Sequence, residues 1–226
     1  MRPVRSLAVF SLALLLVSSV RGADQKLEVL QQPPAGLSAE VAAAISETGY
    51  RISDSGKVVC DVWFAKEAPL KPKFKSSLRI KYPFQAGQLI GAIRFPDGSK
   101  PNDFRGQELK PGLYTLRYGL QPDDGNHLGT SDIRDFLVGC SPKEDTNPKR
   151  IEDIKALFKL SGSAAGTTHP AIFLLFPPPE KPIDSAAIHH EAEKKLLILD
   201  SNIQGKDADK SVAIPLRIVL VGKSDG

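Results

Sequence analysis

The chain has only two cysteines, Cys60 and Cys140, and no Cys-x-x-Cys pair. One disulfide is the most it can form, and a dithiol redox motif is excluded. Gly-x-Ser-x-Gly and Gly-x-x-x-x-Gly-Lys are missing as well, so neither a hydrolase nucleophile elbow nor a phosphate-cradling loop is encoded. His190-Glu191 begins like a zinc-protease helix, but the position of the second histidine holds Lys194. Beyond the N-terminal segment the apolar runs are short, Ala171–Phe176 among them, and none reaches the length of a membrane-spanning helix.

That N-terminal segment is itself informative. Arg2 and Arg5 precede an apolar run from Leu7 to Val17, and Val20-Arg21-Gly22 before Ala23 reads as a cleavage site. The pattern predicts a signal peptide over residues 1–22 and a single domain over 23–226. No cysteine follows the cut, which argues against a lipid anchor. The expected location is outside the cytoplasm, periplasmic or extracellular. Export also changes the charge argument: taking Arg2, Arg5 and Arg21 from a net charge of +4 leaves +1. A near-neutral exported chain is a poor partner for nucleic acid, and no transmembrane segment is expected after cleavage.

An oxidising compartment would let Cys60 and Cys140 close a bridge around a long loop; two buried thiols that never meet are the alternative.

Eighteen prolines and eighteen glycines spread along the chain suit short strands joined by turns. Strands are predicted at 27–30, 50–53, 57–65, 89–95, 112–119, 136–140, 171–176, 195–200 and 211–221. A helix over 39–48 would start at Ser38 and stop at Gly49. A second would be capped by Asn147, carry Pro148 in its first turn and close at Ser161-Gly162. The Ser161–Thr168 stretch reads as a mobile loop. Many strands, two short helices and no βαβ alternation predict a mainly β fold, an antiparallel β-sandwich or jelly-roll-like single domain.

Candidate chemistry is sparse. The densest polar segment runs from Gln121 to Asp135 and holds Asp123, Asp124, Asn126 and His127. Its oxygens suit calcium; His127 with Asp135 and the distant His169 suits zinc or a similar ion. The same residues equally suit a polar turn that caps its own backbone. His169 precedes Pro170, which holds its backbone extended at the mouth of a strand. No cofactor is required by the sequence, and a divalent metal is the one it would admit. His189 and His190 sit in a charged stretch and read as solvated surface.

In the run Leu113–Tyr118, Tyr114, Leu116 and Tyr118 share one face of a strand, and Leu113, Thr115 and Arg117 share the other. Tyr114, Tyr118 and Arg117 are the residues that would bind a carbohydrate or an anion; core packing is the competing reading. Lys71, Lys73, Lys75, Arg79 and Lys81 all occupy odd positions. If extended they line one edge, either facing an anionic surface or glycan or guarding an edge strand against pairing.

The words Gly112–Tyr118, Gln121–Gly129, Asp135-Phe136-Leu137 and His169-Pro170-Ala171 resemble a group of uncharacterised exported bacterial proteins. The resemblance covers roughly Gly49 to Val221. It implies export and a compact β-rich domain, and it carries over no activity, ligand or catalytic residue. The expectation is a non-catalytic binding or structural module of the periplasm or cell envelope, with an envelope component or glycan as partner. The alternatives are a metal-dependent enzyme using His127, His169 and Asp135, and a carbohydrate-binding module.

Overall fold

The structure is a computed structural model and describes residues 25–122 and 133–223. Eleven strands and two helices follow one another as β1 (Lys26–Leu30), α1 (Ala39–Ala44), β2 (Ile45–Asp54), β3 (Lys57–Ala65), β4 (Ala68–Pro69), β5 (Leu89–Phe95), β6 (Gly112–Leu120), β7 (Asp135–Cys140), α2 (Ile154–Ala165), β8 (Ala171–Phe176), β9 (Ala187–Glu191), β10 (Leu196–Asp207) and β11 (Lys210–Val221).

The strands form one sheet in the order β1-β2-β3-β5-β6-β7-β8-β11-β10-β4, with β9 added on β10. All pairings are antiparallel except the two-residue contact of β4 with Gly205 and Lys206 of β10. β4 lies just after β3 in the chain yet pairs with the far end of the sheet, so the sheet curls back on itself and nearly closes into a barrel. The fold is mainly β, as the sequence predicts. Two stacked sheets are not what the connectivity gives: the strands run as one ribbon, joined at its narrowest point by the two residue pairs between β8 and β11.

The barrel interior is filled by side chains from alternate positions, among them Cys60, Val62 and Phe64 of β3, Ile93 of β5, Leu116 and Tyr118 of β6, and Leu199, Leu216 and Ile218 of β10 and β11. A second apolar layer lies outside the wall, where α2 places Leu157 against Phe136, Val138 and Cys140 of β7. Covering the outer face explains why every residue of β7 is buried.

Both helices depart from their sequence boundaries. α1 ends at Ala44 and passes directly into β2. Gly49, expected to stop the helix, instead lies in β2 opposite Trp63, whose indole occupies the space a Cβ would take. α2 starts later than expected: Asp153 caps it, its Oδ1 accepting from the amides of Lys155 and Ala156 at 2.9 and 3.2 Å. Asn147 lies upstream of the helix, its carbonyl and that of Lys149 accepting from Arg117. The helix runs on through Ser161 to a left-handed Gly166, so most of the expected mobile loop is helical. Ser161 is buried, donating to the Gly139 carbonyl at 2.7 Å and accepting from the Ala171 amide at 3.0 Å. No helix among the described residues is long and apolar enough to cross a membrane.

Candidate binding cleft

The polar residues singled out in the sequence are distributed by the strand pleat. Tyr114 and Tyr118 point into the barrel, while Arg117 points outward under the segment that follows β7. The three therefore stand on opposite sides of the wall, and all are buried. Tyr114 donates its hydroxyl to the Lys110 carbonyl at 2.8 Å, and Tyr118 donates to Asp135. Arg117 spends all five of its donors: Nε and Nη2 on Asp145 at 2.7 and 2.6 Å, Nη1 on the carbonyls of Gly87 and Lys149, and Nη2 again on that of Asn147. No face of this trio is left for a sugar or an anion.

The proposed metal residues are not brought together where they can be placed. Asp135 is fully buried at the start of β7, accepting from the amides of Lys81 and Tyr82 at 2.7 and 3.1 Å and from the Tyr118 hydroxyl. Burial, more than any neighbour, raises its carboxyl above the usual range. His169 is exposed beyond the other end of the same strand pair, where Gly139 opposes Ala171. Gly139 is four residues along β7 from Asp135, about 13 Å of strand. His127, Asp123, Asp124 and Asn126 lie outside the described residues. Among the described residues no three His, Cys, Asp or Glu side chains converge as a metal site would require.

Cys60 and Cys140 are free, buried thiols. Cys60 faces the interior of the barrel, whereas Cys140 packs outside the wall against Leu157. The wall itself stands between them, so the bridge considered from the sequence does not form. His189 and His190 sit on β9, a strand the sequence did not signal because its alternation is broken by charge. His189 Nε2 lies 3.1 Å from Asp200, which also accepts from Arg217 Nε at 3.0 Å.

A site that sequence reasoning missed opens at one end of the barrel. Its floor is Val58, Val59, Phe95 and Leu220, and its volume is about 770 Å³. One wall is the 99–106 segment; the other is the β9–β10 turn with the end of β11. Four lysines border it, Lys100, Lys194, Lys195 and Lys223, against one acid, Glu193. All four are exposed, and among the described residues none forms an ion pair. Lys195 holds a left-handed backbone, φ +53°, in the tight turn whose amide bonds back to Ala192. That conformation is uncommon for a side chain other than glycine, asparagine or aspartate and is tolerated where the surroundings fix it. Gly222, at φ +124°, passes so close to Leu196 that a Cβ would collide with it.

The 99–106 wall is held by Asp103. Its buried carboxylate accepts from the amides of Arg105 and Gln107, both at 2.9 Å, and from Ile172 of β8 at 3.1 Å. Burial pushes this carboxyl upward, and the three amides offset only part of that cost. No sequence pattern marks the cleft, because its lining comes from five separated stretches that only closure of the barrel assembles. The chain matches no family model, no curated protein and no solved structure.

Proposed function

We propose that this chain is an exported, non-catalytic binding module of the periplasm or cell envelope, and that its ligand seats in the lysine-rimmed cleft at the barrel end. The observation that carries the reading is the pairing of an apolar floor with four ammonium groups, unpaired among the described residues, around a space of about 770 Å³. Such a space suits a small ligand, with the apolar lining supplying affinity and a few charges fixing orientation. The charges select an anion, so the ligand is an anionic amphiphile: a carboxylate, sulfonate or phosphate carried on an apolar body.

Export rests on the basic-then-apolar segment ahead of Ala23. The non-catalytic reading rests on how the buried polar groups are used: Arg117, Asp145 and Asp135 are engaged in holding chain segments to the barrel.

Titration of the 23–226 chain with anilinonaphthalene sulfonate, followed by fluorescence, tests the assignment. One saturable site is expected, weakened at least tenfold when Lys194→Gln and Lys195→Gln are combined. Saturable binding that this double variant leaves unchanged would remove the cleft as the site. Dodecyl phosphate should displace the dye; octyl glucoside, which has the chain without the charge, should not.

A further inference from the structure

The connection from β4 to β5 carries the lysines that the sequence places on odd positions, and it is not a strand. Residues 70–88 form a projecting loop whose base is firmly held. Leu70 donates its amide to Lys206 at the end of β10, Lys71 to Pro83, and Lys81 and Tyr82 to Asp135 at the start of β7. Tyr82 donates its hydroxyl to the Phe176 carbonyl at the end of β8. These contacts lie at the end of the barrel opposite the cleft.

The tip is equally defined. The Ser77 amide donates to the Ile80 carbonyl at 2.9 Å, and the Ile80 amide returns to Ser77 Oγ at 3.0 Å, closing a tight turn. Leu78 stands on that turn and is 90 % exposed, far beyond the 55 % of Val29, the next most exposed large apolar side chain among the described residues. A single exposed leucine is ordinary on a protein surface. This one is held outward by a hydrogen-bonded turn, on a loop rich in basic residues. Between Leu70 and Tyr82 there are five basic residues and no acid. Lys71, Lys73 and Lys75 are exposed and, among the described residues, pair with no carboxylate. Lys73 adopts φ +53° in the first turn of the loop.

We infer that this loop docks the protein on an anionic phospholipid surface, Leu78 entering the headgroup boundary while the lysines meet lipid phosphates. A protruding apolar residue on a loop that also carries exposed lysines matches both properties of such a surface, an apolar layer beneath a negative one. An acidic protein would satisfy the lysines but would leave Leu78 in water unless it also offered a pocket. The inference is independent of the cleft. Docking through the loop turns the cleft away from the membrane, leaving it open to ligand.

The test is co-sedimentation of the 23–226 chain with phosphatidylcholine vesicles that contain or lack phosphatidylglycerol. Partition onto the phosphatidylglycerol vesicles alone is expected, weakening as salt is raised. Leu78→Asp should lower the partition coefficient by about tenfold or more, the worth of burying one leucine. Replacing Lys71, Lys73 and Lys75 together by Gln should lower it by about a hundredfold, close to fivefold per cation. All four positions are exposed, and unchanged dye titration of the cleft will show that the variants fold. No partition, partition onto neutral vesicles as strong as onto charged ones, or variants that bind like the parent would each overturn the inference. Binding to soluble dextran sulfate without vesicle binding, indifferent to Leu78→Asp, would assign the loop to an anionic glycan instead and overturn it too.

Discussion

Arg117 and Asp145 form a two-point ion pair on the outer side of the barrel wall, Nε to Oδ2 and Nη2 to Oδ1, with neither side chain more than 3 % exposed. Thr115 adds its hydroxyl to the same carboxylate. The pair sits where the chain leaves β7, and through the carbonyls of Asn147 and Lys149 it fixes the path to α2. Breaking a buried pair leaves an uncompensated charge, so Asp145→Ala should destabilise the fold by about 3–5 kcal/mol in urea denaturation. Replacing both partners at once, Arg117→Met with Asp145→Leu, should cost clearly less than Asp145→Ala alone.

Gly49 and Trp63 make a second dependence of this kind. The indole covers Gly49 and donates Nε1 to the Gln32 carbonyl at 2.8 Å, while Arg94 lies 5.3 Å from the ring centre. A methyl group at position 49 collides with the ring, which has packed neighbours on its other side. Gly49→Ala should lower stability by about 1–3 kcal/mol, the usual cost of overpacking. Trp63 is the sole tryptophan, so intrinsic fluorescence reports the displacement directly as a red-shifted emission.

Acid should act on two aspartates in opposite senses. Burial alone would raise the Asp61 carboxyl, but the hydrogen bonds and charges of Arg51 and Arg94 outweigh it and hold it below the usual range. Folding therefore favours its ionised form, and the stability it supplies is present above the ordinary aspartate value and lost as pH falls through its lowered one. Asp135 is raised by burial, so folding favours its proton, and stability declines as pH climbs from the ordinary value through the raised one. Carboxyl-carbon NMR should find Asp61 titrating below and Asp135 above the aspartates of the surface. Asp61→Asn should flatten the acid limb of the stability curve; an unchanged limb would contradict the assignment.

The two thiols should be inert in the folded protein. Burial drives both upward, far from the thiolate form that reacts. Alkylation under native conditions should modify neither cysteine. In denaturant without reductant both should react, and a protein that stays unmodified there would reveal a bridge that the structure does not contain.

Most of the strands could be read from local pattern. The apolar runs Leu89–Phe95 and Ala171–Phe176, each closed by a proline-rich turn, set both strands at their observed limits, and the division of β6 into a Tyr114-Leu116-Tyr118 face and a Thr115-Arg117 face is the one the barrel uses. These are properties of a few neighbouring residues, and the pleat fixes them wherever the strand lies. What the pattern does not contain is which face meets water. Arg117 and Asp61 look like surface residues in sequence and are buried, Arg117 under the 145–149 segment and Asp61 between Arg51 and Arg94 of the strands on either side. Gly49 reads as a helix stop, and only the presence of Trp63 across the pair shows why a glycine is there.

Closure was likewise beyond local signals. The pairing of β4 with β10 joins residues more than a hundred positions apart, and the cleft draws its lining from stretches equally remote in the chain. The sequence by itself determined most of the strands, two helices in outline and the expectation of export. Tertiary structure decided that the sheet rolls into a barrel rather than stacking as a sandwich, that the cysteines stand on opposite sides of its wall, and that lysines gather at both of its ends. The physical reason is the range of the interactions: periodicity and turn chemistry act between neighbours, whereas burial and charge pairing are settled only when remote segments meet.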